Sequence, residues 1–373
     1  MLILAAVLAI LVYGLIAPML GALLPTYGLT GDQEGTLAMV QALGLVLASL
    51  AAGPVIDKRG NKSALVVGLL LVAGSLFAAP NAGSFAGLLA VYFILGIGGG
   101  IVVTGANALV GAVEPTRRGS ALNFLNLFFG LGGILTTYAA SHLFTPVTLC
   151  YSIATLTVIV LAVNIATKMP AGEIGFRLSE LPTLLSNPAL LLLSFFLFLY
   201  VACEVGMWNW LNSYLLSRNF DPGRAGSVVS YGFAFGLLVG RLIISRVLLR
   251  VPSVVVIFFA AILIAITTFI MLRLESQAAI TIAVFCAGLS MAPVFPTTLA
   301  ITGDTFQRGV ATAMGVVITC GWIGLAVSSP IIGHIKNASS LRNALLVIPG
   351  CALIMILVSL ALRASVRRPV MAA

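Results

Sequence analysis

The residue best placed to do chemistry is Glu204, an acid well inside a long apolar run from Ala189 to Leu216. Trp208 and Asn212 follow at intervals of four residues, so a helix would place a carboxylate, an indole and an amide along one face. A carboxylate beside an aromatic platform suits a polar ligand, and a membrane carboxylate can also accept a coupling proton. The alternative is a glutamate that only hydrogen-bonds a neighbouring helix.

Side-chain amides and hydroxyls mark other apolar runs. Thr104 and Asn107 share one helical face, and Asn123 and Asn126 share another. These groups could present donor and acceptor pairs to a hydroxylated ligand, or they could simply tie helices together. The sequence therefore predicts a substrate-binding set that also includes an aromatic residue of the first run: Glu204, Trp208, Asn212, Asn126, Asn123, Asn107, Thr104 and Tyr13.

A short charged turn, residues 53–62, separates two apolar runs early in the chain. Its cations favour the cytoplasmic side of a membrane, and Gly60 permits the positive φ that a reversal between helices needs. Asp57 is unexpected there, because a carboxylate at a membrane edge needs a partner. The candidates are the neighbouring cations and the positive N-terminus of another helix.

The composition restricts the class of protein. Of 373 residues, 61% are hydrophobic and only 8% are charged, and the mean hydropathy is +1.18. These values exclude a soluble globular domain and indicate a polytopic helical membrane protein. The net charge of +9 does not indicate nucleic-acid binding, because the cations lie singly or in small groups in loops.

Twelve apolar runs are long enough, or nearly so, to cross a hydrocarbon core of about 30 Å as helices. Their predicted limits are 2–25, 35–56, 64–80, 85–112, 119–141, 147–167, 188–216, 224–249, 253–272, 277–302, 309–333 and 342–363. Placing both termini in the cytoplasm gives the inner loops thirteen Lys and Arg residues and the outer loops five, with Arg241 left out. This asymmetry predicts cytoplasmic termini.

A polar segment divides these runs six and six. The predicted organisation is an N-terminal half at 1–167, a cytoplasmic linker at 168–187 and a C-terminal half at 188–373, with the linker either a short surface helix or plain coil. An internal repeat supports it: Glu114-x-x-x-Arg118-Gly119-x-Ala121 recurs 190 residues later as Asp304-x-x-x-Arg308-Gly309-x-Ala311. Two parallel six-helix repeats are typical of a family of secondary transporters that bind solute near the midplane.

The charged turn, Gly53-x-x-x-Asp57-Lys-Arg-Gly60-x-Lys62, resembles the signature loop between the second and third helices of the major facilitator superfamily. The resemblance implies twelve helices that rock between two states around a central site. Asp57 is then expected to face the start of the eleventh span, near Arg308 and Gly309, and to favour the outward-open state. The predicted gating residues are Gly53, Asp57, Arg59, Gly60, Arg118, Arg241 and Arg308.

Within the superfamily the chain looks most like the fucose, glucose and galactose permease group. The resemblance depends on four motifs: Thr104-Gly-Ala-Asn107, Leu122-Asn123-x-x-Asn126-x-Phe128, Tyr200-x-x-x-Glu204 before Trp210-x-x-Tyr214, and Pro293-x-x-Pro296. It implies that Asn126 stands at a sugar-binding position. Proton-coupled fucose permeases have acids where this chain has Gly21 and Val103. Three alternatives follow: Glu204 carries the proton, the protein is a uniporter, or it uses another ion.

The sequence thus predicts a transporter of a small polar solute, with a sugar as the first candidate, in a cell membrane such as the bacterial inner membrane. Its partners are the solute, a proton or another ion, and the lipid bilayer; nucleic acid, a cofactor and a metal are not expected, and the protein is expected to be a monomer. The main alternative is an exporter of drugs or amphipathic metabolites, favoured by largely apolar walls and Trp322. A membrane receptor is a further alternative, and an enzyme is disfavoured because no catalytic motif is present.

Overall fold

The computed structural model describes residues 1–23, 27–170 and 180–366, and its regular structure in these ranges is entirely helical. Pro25, the linker residues Gly172, Glu173 and Arg177, and the tail residues Arg367 and Arg368 lie outside the described residues. The helices are α1 (Leu2–Ile16), α2 (Met19–Leu23), α3 (Gly31–Arg59), α4 (Asn61–Ala78), α5 (Phe85–Val113), α6 (Arg118–His142), α7 (Pro146–Ala166), α8 (Leu181–Leu185), α9 (Pro188–Ser217), α10 (Pro222–Ser227), α11 (Phe235–Val247), α12 (Ser253–Arg273), α13 (Gln277–Met291), α14 (Val294–Thr305), α15 (Val310–Ala338), α16 (Leu341–Ala344) and α17 (Val347–Val366).

Local sequence signals set where several long helices begin. Thr30 and Gln33 form a reciprocal capping box at the start of α3, and the Ser84 hydroxyl accepts a hydrogen bond from the Gly87 amide at the start of α5. Asn187 caps α9, where Pro188 occupies the first turn and needs no hydrogen-bond partner for its nitrogen. These caps satisfy backbone amides that would otherwise be orphaned at a helix end.

Eleven of the described helical segments are long and apolar enough to cross a membrane. The first predicted run instead appears as the shorter helices α1 and α2, which are interrupted at Ala17 and Pro18. In the tenth predicted run, α13 ends at Met291 and α14 begins at Val294. The all-α, many-span fold class is therefore confirmed, while the cytoplasmic placement of the termini stays a prediction.

The described residues fall into two compact units. The first comprises Met1–Thr116, Leu125–Leu181 and Phe306–Thr319, and the second comprises Arg117–Phe124, Pro182–Thr305 and Cys320–Ala373. The start of α15 thus belongs with the N-terminal helices, and the start of α6 belongs with the C-terminal ones. The division into sequence halves at 1–167 and 188–373, joined by a linker at 168–187, was predicted from the internal repeat and stays a prediction. Within that linker, residues Leu181–Leu185 form α8.

Small residues allow helices to pack closely within each unit. In the first unit, a Cβ atom added to Gly100 of α5 would lie 2.8 Å from the Leu45 carbonyl oxygen of α3. In the second unit, a Cβ atom on Gly240 of α11 would lie 2.8 Å from the Leu289 carbonyl oxygen of α13. Close backbone approach is how apolar helices gain van der Waals contact when lipid offers no hydrophobic advantage.

Candidate functional site

Helix α9 carries the acid that the sequence singled out. The Glu204 side chain is 13% exposed, and its Oε1 atom lies 3.9 Å from Nη2 of Arg241 on α11, whose side chain is 3% exposed. At this separation the two charges attract without a direct hydrogen bond. The sequence predicted that Glu204 needs a partner, but it assigned Arg241 to gating and did not connect the two residues.

The predicted face of α9 continues towards the end of the helix. Trp208 is 40% exposed, and its ring meets the Phe233 ring edge-on at a centroid distance of 5.1 Å. Asn212, one turn further, is also exposed. Phe233 lies in a π-helical segment, Val228–Ala234, between α10 and α11; such widened turns often occur at functional sites. The described structure therefore places Glu204, Trp208 and Asn212 along one accessible face.

Tyr200, which the sequence marked only as part of a family motif, also belongs to this cluster. It precedes Glu204 by one turn, is completely buried, and interacts electrostatically with both Glu204 and Arg241. Its hydroxyl group interacts with the Glu204 carboxylate. The signal that could have identified it is the spacing of four residues from a membrane acid.

The amides of the fourth and fifth runs meet inside the first unit. The Asn126 amide nitrogen donates to Oδ1 of Asn107 at 2.8 Å, and the Asn107 amide nitrogen donates to the Val103 carbonyl at 2.8 Å. Both asparagines are buried, as is Thr104. The hydrogen bond between Asn126 and Asn107 joins α5 to α6, which is the packing alternative that the sequence left open. A role in solute binding stays a prediction.

Tyr13 is also a member of the predicted set in the first unit. It is 7% exposed, and its ring stacks on the Phe129 ring of α6 at a centroid distance of 5.4 Å. A Cβ atom on Gly99 would lie 3.0 Å from the same tyrosine ring, so the absence of a side chain there makes room for it. Tyr13 thus packs between α5 and α6.

Asn123 lies in the second unit. Its amide nitrogen donates to the Gly119 carbonyl at 2.9 Å and to the Thr297 hydroxyl at 3.0 Å. Thr297 follows Pro296 on α14, immediately after the helix interruption. The hydrogen bond therefore fastens the start of α6 to the interrupted tenth span, a connection that the spacing of residues could not indicate.

Within the first unit, Asp57 of the charged turn contacts the start of α15, the helix that corresponds to the eleventh predicted span. Asp57 is buried and accepts hydrogen bonds from the Ala311 amide at 3.0 Å, the Thr312 amide at 2.7 Å and the Thr312 hydroxyl at 2.5 Å. These donors lie in the first turn of α15, where orphan amides and the helix dipole favour an anion. The predicted contact with a helix N-terminus is confirmed, although Arg308 is exposed and is not among the donors.

Two glycines make this contact possible. Gly60 has a φ of 86° and connects α3 directly to α4, as the sequence predicted. A Cβ atom on Gly53 would lie 2.5 Å from the Thr312 Cα atom and 2.6 Å from the Ala311 carbonyl oxygen. Gly53 therefore lets α3 approach α15 closely enough for Asp57 to reach its amides.

The repeated basic motif forms an ion pair in the second unit. Arg118, from the first copy, lies 2.5 Å from Asp304, the acid of the second copy. The two side chains are 11% and 49% exposed, so solvent screens part of their attraction. Arg59 and Arg308 are exposed. The gating roles of these residues, and of Arg241, stay predictions.

Comparison with known proteins identifies the class. The family model described as Major Facilitator Superfamily matches residues 2–329, so the chain belongs to the Major Facilitator Superfamily. With its many apolar helices it is a multi-pass membrane transporter of that superfamily.

The chain is similar to several named proteins. Bypass of stop codon protein 6 from Saccharomyces cerevisiae is 26% identical over 394 residues, covering 89% of this chain and 77% of that protein. Quinolone resistance protein NorA from Staphylococcus aureus is 28% identical over 239 residues, covering 60% of each. Among solved structures, the E. coli fucose:proton symporter FucP has a TM-score of 0.82 at 18% identity, covering 96% of this chain and 98% of that one. This likeness confirms the fold.

Proposed function

We propose that the chain is a proton-coupled transporter of a small polar solute, with a sugar as the first candidate, and that Glu204 carries the coupling proton. Transport then proceeds by alternating access, as the resemblance to the major facilitator superfamily implies. In this scheme α9 supplies solute-facing groups.

The observation that carries the proposal is the accessible face of α9. Glu204 offers a carboxylate, Trp208 an indole that is 40% exposed, and Asn212 an exposed amide. A flat indole face packs against the C–H surface of a sugar ring, while the amide and the carboxylate hydrogen-bond its hydroxyl groups. An acid kept in a membrane helix at the cost of desolvation is by default a functional residue.

Uptake into proteoliposomes tests this proposal. With labelled hexoses and an imposed pH gradient, we expect Glu204→Gln to abolish accumulation against a concentration gradient while retaining exchange of solute at equal concentrations. Trp208→Ala should raise the apparent KM by about tenfold, the effect of losing about 1.4 kcal/mol of stacking. Asn126→Ala tests the sugar-binding role that the family resemblance implies.

The matched control is Glu34→Gln, which neutralises an acid in the first turns of α3. Gradient-driven uptake should be unaffected by this change. Unchanged uptake and binding of every sugar tried in both Glu204→Gln and Asn126→Ala would exclude the assigned site.

A second candidate function is the export of drugs or amphipathic metabolites. It is favoured by the 28% identity to a protein named for quinolone resistance. Dye efflux from cells that express the chain separates the two functions: quinolone-sensitive, Trp208-dependent efflux without sugar uptake would favour export.

A further inference from the structure

A groove of about 210 Å³ lies within the second unit, between α11, α12 and α13. Gly240, Val256 and Ala260 form its floor and are buried. Ser290 also lines the groove, and its hydroxyl donates to the Ala287 carbonyl at 2.8 Å. Apart from glycine, the other lining residues carry apolar side chains. The groove therefore suits a hydrocarbon chain better than a polar solute, which would lose its hydrogen bonds to water there.

The rim of the groove is open and apolar. Ile243, Phe259 and Leu263 line it and are 48%, 56% and 47% exposed. They belong to helical segments that are long and apolar enough to cross a membrane, where such side chains meet acyl chains. From Val255 to Leu263 the lining follows α12 for about 12 Å, at about 1.5 Å per residue. This length is close to one leaflet, about half of a 30 Å hydrocarbon core.

Two cations stand at the end of α11 where the groove begins. Arg246 and Arg250 are exposed, and each precedes a lining residue, Val247 or Val251. Neither forms an ion pair with any residue that the structure describes. Helices α11, α12 and α13 contain no Asp or Glu. The apolar groove is thus flanked by positive charge that no neighbouring acid on these helices offsets.

We propose that the groove binds an anionic phospholipid, with one acyl chain along α12 and the phosphate beside Arg246 and Arg250. Basic residues next to a gap between membrane helices are a chemical match for such headgroups. The predicted topology places both arginines on the cytoplasmic side, where the leaflet carries negative charge. This lipid site goes beyond the proposed function, because it does not depend on which solute is carried.

The inner part of the groove lies beside the ion pair of the candidate site. Gly240 immediately precedes Arg241, the partner of Glu204, and Pro293 lines the groove between α13 and α14. A bound chain therefore packs against α11 next to the ion pair and against the interrupted tenth span. Because the groove exists only in the folded protein, bound lipid stabilises the fold increasingly as its concentration rises.

Native mass spectrometry of the delipidated, full-length chain tests the lipid site. The probes are palmitoyl-oleoyl phosphatidylglycerol and palmitoyl-oleoyl phosphatidylcholine, which share their acyl chains and differ in headgroup charge. We expect the anionic lipid to bind at least tenfold more tightly and to raise the thermal unfolding midpoint more. A phosphatidylglycerol with a photoreactive diazirine in its acyl chain should crosslink to α11, α12 or α13. Glycerol 3-phosphate, a headgroup without chains, should not displace the lipid.

Variants separate the headgroup from the chain. Arg246→Gln and Arg250→Gln should each weaken phosphatidylglycerol binding about fivefold and leave phosphatidylcholine unchanged, since a cation beside an anionic lipid contributes about 1 kcal/mol. Arg273→Gln, at the other end of α12, is the charge control. Leu263→Trp fills the groove and should weaken both lipids fivefold or more. Its matched control is Ile266→Trp, because Ile266 is 48% exposed on the same helix and does not line the groove.

The outcomes are distinct. Equal binding of the two lipids would overturn the site, as would equal losses in Arg250→Gln and Arg273→Gln, which would reflect net charge alone. Displacement by glycerol 3-phosphate would mean that the groove is not used, and crosslinks confined to other helices would mean the same. All the substituted side chains are exposed, so the variants should fold, which their unfolding midpoints without lipid verify. None of these measurements requires transport, so a failure of the proposed function would leave them interpretable.

Discussion

Two acids on long apolar helices, Asp57 and Glu204, are held in opposite ways. Asp57 on α3 is 5% exposed and accepts three hydrogen bonds from the first turn of α15. Glu204 on α9 is 13% exposed and faces Arg241 at 3.9 Å. An acid that accepts three hydrogen bonds from one helix end holds two helices together, whereas an acid whose cationic partner lies 3.9 Å away can exchange it for a proton or a ligand.

The largest expected effect follows the loss of the Asp57 charge. Asp57→Asn removes charge-assisted hydrogen bonds worth about 1.5–3 kcal/mol each and presents an amide group to backbone amides, so unfolding should become easier by about 3 kcal/mol or more. Thermal unfolding in detergent measures this, with Glu34→Gln as the control acid on the same helix.

The same variant tests the predicted gate. If the contact with α15 favours the outward-open state, Asp57→Asn should shift cysteine labelling towards the inward-open pattern without abolishing solute binding. An unchanged labelling pattern would leave the contact as a stabilising one only.

A smaller effect on stability is expected at the second acid. Glu204→Gln removes the counter-charge of the buried Arg241, but the Glu204 side chain is 13% exposed and a glutamine oxygen can still accept a hydrogen bond. Its cost should therefore be about 2 kcal/mol, below the roughly 3–5 kcal/mol of a fully buried pair, while accumulation of solute is lost. The reverse order, in which Glu204→Gln unfolds the protein more readily than Asp57→Asn, would contradict the comparison.

The amide of Asn123 gives a third, intermediate case. Its neutral hydrogen bond to Thr297 should contribute about 1 kcal/mol, which a double-mutant cycle of Asn123→Ala and Thr297→Val would show as coupling. Coupling near zero would mean that the Gly119 carbonyl alone holds the amide.

The smallest effect is expected for the partly exposed ion pair. A cycle of Arg118→Ala and Asp304→Ala should show coupling of about 0.5 kcal/mol that falls in high salt, since one partner is 49% exposed. The transport rate of each variant should be measured in parallel. If the ion pair gates transport, the rate should change by more than this small loss of stability would cause.

Features that depend on neighbouring residues were predictable. Gly60 was expected to take a positive φ and does. Asp57 was expected to meet a helix N-terminus, because a buried carboxylate near a turn has few other partners. The charged turn at residues 53–62 also indicated which helix this would be, the eleventh predicted span.

Contacts between distant helices were not predictable in the same way. Nothing in the spacing of residues placed Arg241 opposite Glu204, Thr297 opposite Asn123, or the Asp304 of one repeat against Arg118 of the other. From sequence, the side-chain amides of Asn107 and Asn126 could equally bind a ligand or hydrogen-bond each other. The sequence therefore identified the polar side chains but not the residues on other helices that pair with them.

By itself, the sequence determined the all-α membrane class, the positions of the spans, the charged turn and the acid on α9, because hydrophobic length, turn chemistry and charge are local properties. Only the tertiary structure decided that Asp57 accepts three hydrogen bonds from the start of α15 and that Glu204 faces Arg241 at 3.9 Å. The physical reason is rotation: a helix that is apolar on all sides has no strong amphipathic signal to fix which face meets which neighbour, so packing decides the partners.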